Sequence, residues 1–414
     1  TESLGDLYGM HWPFKQHKTS RNVKTLPYHD ELKGFGACFG VSGGYERPMW
    51  FALDGEVSNY EYSYNYQNWY PSAEYETSNT IKNVGLFDLT PFSKFEIKSE
   101  KAHQELQRIC TANIKKEIGK CTYTHMLNAD GGIETDLTVV CIDDNHFRII
   151  SSAATRERDK FHIRKHLSDD IGLIDVTDDY CVFGLFGPKS RELMKTLSND
   201  NFDNEKFKFG TAKYIQINGI NIWAQRLSYV GELGYELYVK FNQSKKIYES
   251  LIERGKDFNL SNCGMHAMDI MRMESGFLHW GHDISPEENQ YQAGLSFTIS
   301  HQKKIDFVGK KALEKIKNSK IKSRFVMFTL KASKPGEPLL LHDEPIYLDN
   351  EIIGRSTSGN YSFNFKKNLV FGYIKNDFTD AELNSKNLYI EVEKKKYPIL
   401  FQLEPLKQTD FKNS

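Results

Sequence analysis

Two textures divide this chain. To about residue 320, short apolar strands alternate with segments of helical spacing; from about Lys322 onward only short strands and turns remain. Apolar residues recurring every three to four positions predict helices within 101–114, 156–167, 188–197, 242–258 and 263–276. Hairpins are read at 137–152, turning at Asp143–Asn145, and at 220–240 around a glycine-containing turn. Strands joined by short turns pair antiparallel, so this region is α+β rather than a doubly wound parallel sheet. The second texture, with strands in 324–333, 344–362, 369–375 and 387–405, reads as a small all-β domain. The aromatic stretch 45–70 is mixed with Gly, Asn, Ser and Pro and reads as ordered irregular structure packed on a neighbouring domain. The segment 310–322 is expected to be a solvated helix and linker.

A chain of 414 residues suits two or three domains. With 54 Lys+Arg against 55 Asp+Glu the net charge is −1, which argues against a nucleic-acid surface. No apolar run approaches the ~18–20 residues of a membrane span, so no membrane is expected as a partner. The first residues show no secretory signal, and Thr1 in place of Met suggests a processed chain or a piece of a longer one. The six cysteines form no CxxC pair and are expected to be buried and reduced, in a cytoplasmic or mitochondrial-matrix-like compartment. There is no GxGxxG, phosphate loop, HExxH or GxSxG. The cluster His279-Trp280-Gly281-His282-Asp283 reads as a hydrogen-bonded loop; no metal site is expected. Any chemistry must therefore use a diffusible organic cofactor or one held by a partner.

Three segments combine polar residues with permissive glycines. In the first, Asn128-Ala-Asp-Gly-Gly132 is a hairpin turn that brings Tyr123 and Asp136 together across the ladder. Asp136 opens the apolar run LTVVCI, at the lip of a core, where a carboxylate could hold a developing cation or poise a proton. The plain alternative is an exposed carboxylate at a strand start. In the second, Tyr229 precedes two glycines and Glu236 falls in an apolar strand, where it could accept two N–H bonds from an aminopyrimidine-like edge or form a structural ion pair. In the third, Arg272 lies on a Met-rich helix, free to neutralise a ligand carboxylate or to pair with Asp269 or Glu274.

These segments, in this order, resemble the glycine-cleavage T-protein family. The resemblance extends through 26–32, 84–90, 187–191, 307–313, Thr357-Ser-Gly and Phe371-Gly-Tyr. Within the family the chain is similar to the folate-binding C-terminal half of dimethylglycine and sarcosine dehydrogenases, through Tyr45-Glu-Arg-Pro-Met-Trp-Phe, Gln67-Asn-Trp-Tyr, the strand 229–238 and His279-Trp-Gly-His-Asp. The paired acidic residues of T-proteins are here Thr135-Asp136, and Leu233 replaces an acidic residue after Gly-Glu.

The resemblance implies a three-lobed fold: a lead segment 1–25, two α+β folate-binding lobes within 26–318 and a C-terminal β-barrel at 319–414. It implies tetrahydrofolate as cofactor, with FAD only on a separate or missing N-terminal domain. Asp136 would be the catalytic carboxylate, while Tyr123, Tyr229, Glu236 and Arg272 would bind the cofactor. The substrate would be a small methylated amine or sulfonium, with a flavoprotein domain or subunit as partner. Alternatives are a stand-alone aminomethyltransferase-like or dimethylsulfoniopropionate demethylase-like enzyme, and a non-catalytic folate-binding subunit.

Overall fold

The computed structural model describes residues 2–408 and 410–414. The hairpin 220–240 forms as two antiparallel strands, Ile220–Gln225 and Gly234–Lys240, within a six-stranded sheet. Its order is Ala212–Ile217, Ile220–Gln225, Gly234–Lys240, Tyr180–Phe186, Val84–Asp88 and Leu260–Cys263. Only its last pair is parallel. The hairpin at 137–152 joins a five-stranded antiparallel sheet of Cys121–Leu127, Ile133–Asp143, His146–Ser151, Ser93–Lys98 and Leu173–Asp175. The segment 84–98 is two strands in two different sheets, so the chain crosses between lobes there.

Strand side chains alternate between faces, and that period fixes what the sheets share. Along Ile133–Asp143, Leu137, Val139 and Cys141 pack against the helices Ala102–Ile109 and Arg156–His166. Val140 and Ile142, on the other face, join Phe186, Tyr238, Met268 and Met271 in a core common to both sheets. Along Gly234–Lys240, Tyr235, Leu237 and Val239 face an outer core with the helices Ser190–Leu197 and Ser244–Gly255, while Tyr238 faces the common one. The helix Met265–Glu274 inserts its Met268 and Met271 there, pliant side chains suited to an irregular seam.

The C-terminal strands close a six-stranded barrel: Ser323–Leu330, Lys367–Lys375, Glu351–Ser362, Pro345–Leu348, Leu388–Val392 and Lys395–Gln402. All six cysteines are buried and free. Among the described residues no helix is long and apolar enough to cross a membrane.

The first part of the stretch 45–70 corrects the sequence reading, while residues 52–69 are irregular as expected. Tyr45–Phe51 is a strand paired with Ala37–Ser42 across Gly43 and Gly44, whose φ values of +56° and +83° suit a tight hairpin turn. Pro48, lacking a backbone N–H, is accommodated opposite a bulge between Cys38 and Phe39. The neighbour on which the aromatics pack is this chain itself: Trp50, Trp69 and Tyr70 share a core with Ile270 and with Tyr361 and Phe363 of the barrel. Pro188 lies just before the helix Ser190–Leu197 rather than in its first turn.

Candidate functional site

Asp136, Tyr123 and Glu236 all occupy the strand faces that look between the two sheets, by the same alternation that places Val140, Cys121 and Tyr238 there. In the hairpin register Asp136 lies opposite His125, with Tyr123 on the diagonal, and Tyr123 Oη donates to Asp136 Oδ2 at 2.8 Å. Burial drives the Asp136 carboxyl up to about 6; the Tyr123 hydrogen bond opposes this and the field of Asp159 adds to it. Asp159 is itself buried, accepting from Thr135, Ser151 and Thr155 at 2.6, 2.7 and 2.8 Å. Tyr123 keeps 38% of its surface open. Protein nevertheless surrounds it closely enough to push its phenol well up.

The turn that delivers this pair depends on Gly131, at φ +86°, and on Gly132. A Cβ on Gly132 would sit 1.8 Å from the Pro286 carbonyl. The Asn128 side chain accepts from the N–H groups of Asp130 and Gly132 and closes the loop.

Glu236 pairs in register with Gln225 on one side and Gly184 on the other. Burial pushes its carboxyl up to about 7, against a hydrogen bond from Tyr238 Oη to Oε2 at 3.0 Å. Among the described residues no donor reaches Oε1. Beside it, the Gln225 amide Nε2 is buried without a partner. Gln225 escaped the sequence reading; its signal was a buried amide opposite the one carboxylate of the neighbouring strand.

Tyr229 donates to the Leu278 carbonyl at 2.9 Å and stacks on Phe277, ring centres 6.0 Å apart. Burial raises its phenol, and the charges of Arg272 and Asp136 both reach it. Asp136, Tyr123, Tyr229 and Arg272 thus share one electrostatic neighbourhood. Glu236 acts instead on Tyr238 and Cys121, the latter two residues along the strand from Tyr123.

Arg272 is 1% exposed, and its guanidinium is engaged by protein. It donates to Asp269 at 2.8 Å, Asp283 at 2.5 Å, Ser358 Oγ at 2.9 Å and the Phe277 carbonyl at 3.1 Å. Burial works against its charge, but Asp269 and Asp283 more than compensate and hold it protonated. The pairing with Asp269 read from helical spacing is present; Glu274 instead accepts from Ser362 and Asn364. Asp283, the last residue of the HWGHD loop, accepts from Arg272, from His279 N, and from Thr357 and Ser358 of the barrel. That loop is a hydrogen-bonded joint between lobe and barrel.

Among the described residues, the one group of His, Cys, Asp or Glu close enough to share a metal ion is Glu2, Asp6 and His17, outside this region. Two surface hollows of about 430 and 510 Å³ are lined by Arg108, His166 and Phe307 and by Thr196, Asp200 and Asn218, away from the residues above.

Residues 28–303 match the GCVT N-terminal domain, and residues 324–406 match the glycine cleavage T-protein C-terminal barrel domain. The chain belongs to the glycine cleavage T-protein family. It is 35% identical to the 4-methylaminobutanoate oxidase (formaldehyde-forming) of Paenarthrobacter nicotinovorans, over 98% of this chain and 48% of that protein. It is 32% identical to the mitochondrial dimethylglycine dehydrogenase of Rattus norvegicus, over 90% of this chain and 43% of that protein. It is 31% identical to the aminomethyltransferase of Halothermothrix orenii, over 73% of this chain and 83% of that protein. The chain therefore spans about half the length of the oxidase and dehydrogenase relatives. The T-protein fold is shared with the crystal structure of glycine cleavage system aminomethyltransferase T from Bartonella henselae, at a TM-score of 0.79 and 20% identity over 93% of this chain and 98% of that one.

Proposed function

We propose that this T-protein-family chain is a tetrahydrofolate-dependent one-carbon transferase whose folate site lies between the two sheets. The observation that carries the reading is a pair of carboxylates, Asp136 and Glu236, raised to about 6 and about 7 on strand faces that look into the space between the sheets. Carboxyls held protonated toward neutrality by burial are candidate working groups. The residues present fit the cofactor's ring. Glu236 offers an open acceptor at Oε1, and Gln225 offers an unpartnered donor on the adjacent strand. Side by side, they complement an aminopyrimidine edge whose N–H groups adjoin a carbonyl.

Bound tetrahydrofolate supplies the nucleophilic nitrogens that take up a one-carbon unit. The chain's own residues bind, orient and handle charge. Tyr229, with Phe277 stacked on it, gives an aromatic wall. Asp136 places negative charge where a cationic one-carbon donor meets its acceptor, and its pKa of about 6 lets it hold or release a proton near neutrality. Tyr123 fixes the carboxylate through its 2.8 Å hydrogen bond. Arg272, saturated by protein groups, acts as a positioning residue for the wall behind Tyr229.

The donor we propose is a small N-methylated amine such as dimethylglycine or sarcosine, with the flavin that oxidises it on a preceding domain or a separate subunit. The relative named 4-methylaminobutanoate oxidase extends this class to methylated amino acids with a longer chain. A second reading, a stand-alone aminomethyltransferase-like enzyme, is favoured by the 83% coverage of the Halothermothrix orenii protein. Asp136→Asn keeps the shape of the site. It is expected to retain most folate affinity and to cut one-carbon transfer about 10²-fold or more. The assay is formation of methylene- or methyl-tetrahydrofolate from dimethylglycine with a flavoprotein partner, or from formaldehyde after subtraction of the uncatalysed condensation. Full transfer by the variant would remove Asp136 from the chemistry.

A further inference from the structure

His125 lies behind the Tyr123–Asp136 pair and is fully buried. Its Nδ1 is 3.0 Å from Thr298 Oγ1, and its Nε2 is 3.3 Å from Tyr123 Oη. Counting hydrogens fixes the roles. Thr298 has one hydroxyl hydrogen, and it goes to the Leu295 carbonyl at 2.7 Å. Thr298 Oγ1 can therefore only accept from His125, which places the imidazole hydrogen on Nδ1. Burial lowers the imidazole to about 3, so it is neutral and Nε2 is a bare acceptor. Tyr123 has one hydroxyl hydrogen and two acceptors for it, Asp136 Oδ2 at 2.8 Å and His125 Nε2 at 3.3 Å.

We infer that His125 is a positioning residue for Asp136: its Nε2 receives the Tyr123 hydroxyl hydrogen when the Asp136 carboxyl is protonated and gives it up when Asp136 ionises. With Asp136 ionised, Tyr123 donates to Oδ2 and a buried acceptor on His125 goes without a good partner, which is costly. With Asp136 protonated, its O–H donates to Tyr123 Oη, and Tyr123 turns its own hydrogen to Nε2. Every polar atom of the chain of groups is then partnered. One proton arrives at Asp136 from the side on which Tyr123 stays exposed; no O–H of Tyr123 or N–H of His125 breaks, and the only movement is rotation about the phenol Cζ–Oη bond. His125 thereby favours the protonated carboxyl.

The groups that act on Asp136 come from each element around it. They are Tyr123 on the paired strand, Asp159 on the helix Arg156–His166, and Tyr229 on the loop before Gly234–Lys240, with Arg272 beyond Tyr229. On the far side of the imidazole stands Thr298, and Thr111 accepts from the His125 backbone N–H; neither titrates. The hydrogen relay therefore runs through Tyr123 alone.

This inference rests on the reading of Asp136 as the proton-handling carboxylate, but its test needs neither folate nor donor. The Asp136 carboxyl is titrated by infrared difference spectroscopy on the full chain labelled with ¹³C-aspartate, with Asp136→Asn as the subtraction reference. His125→Phe is expected to lower the Asp136 pKa by roughly 0.5–1 unit, the size of one neutral hydrogen bond. Tyr123→Phe is expected to shift it the opposite way, upward by about 1 unit, because the ionised form loses its donor. The double variant should titrate like Tyr123→Phe alone, and His125→Gln, which returns an acceptor at the Nε2 position, should recover most of the wild-type value.

Should His125→Phe fail to fold by thermal melting, Thr298→Val asks the same question: it frees the imidazole hydrogen to move to Nε2, and the Asp136 pKa should again fall. An unchanged value, or an equal shift with and without Tyr123, overturns the proposal. If the shifts occur as stated while folate fails to bind, the relay stands and the folate reading falls; if folate binds and the shifts are absent, the reverse holds.

Discussion

Asp283 is buried and takes hydrogens from four donors on three parts of the chain: the Arg272 guanidinium, the His279 N–H, and the hydroxyls of Thr357 and Ser358. Removing one partner of a buried ion pair strands the other. Asp283→Ala leaves Arg272 with Asp269 as its only carboxylate and should destabilise the chain by about 3–5 kcal/mol. Urea denaturation measures it; a midpoint within error of wild type would show that the joint is not structural. At this scale the sequence was legible where spacing carries meaning. The Gly-Gly turn brought Tyr123 within reach of Asp136 on the diagonal, and helical spacing put Asp269 beside Arg272. His125 and Gln225 left no such trace, because a lone His or Gln in an apolar strand has no partner in sequence. Their meaning lies in a hydrogen count and in an unpartnered amide, which exist only once distant strands and loops meet.

The strand Gly234–Lys240 shows what one element both stabilises and sacrifices. Tyr235, Leu237 and Val239 bind it to the outer core, while Glu236 is held on the other face with its carboxyl at about 7. A carboxyl whose pKa is raised by folding binds more protons in the folded state than in the unfolded one. Its contribution is therefore lost as pH rises from its ordinary value of 4.5 through about 7. Glu236→Gln should equal wild type in stability near pH 4.5 and exceed it at pH 8 by at most about 3 kcal/mol. Thermal melting of the two proteins across that range reads the difference; parallel curves would mean that Glu236 is solvated. The elements missed from sequence have physical reasons. The helix Tyr70–Lys82 buries Ser72, Glu76, Thr77 and Thr80, so it lacks the apolar stripe that announces a helix. The strand Tyr45–Phe51 contains Pro48, which reads as a breaker until the bulge opposite it is seen.

For the whole molecule, two sheets share one core, a Met-rich helix lies in their seam, and a closed barrel is fastened to that helix through Arg272, Glu274 and Asp283. The division into an α+β body and a β tail was legible because the change of texture near Lys322 is a change of period. That the two sheets face each other was not, since no local signal says which face of a strand meets another lobe. The proposed activity depends on that arrangement, which places Asp136 and Glu236 on facing surfaces. Calorimetric titration of the folded chain with folinate addresses it. Binding to wild type is expected, and Glu236→Ala should weaken it by roughly 1–3 kcal/mol, about five- to 150-fold, the cost of a lost charge-assisted contact. A folded wild-type chain that releases or absorbs no heat with folinate, and shows no binding in equilibrium dialysis, would contradict a folate site between the sheets.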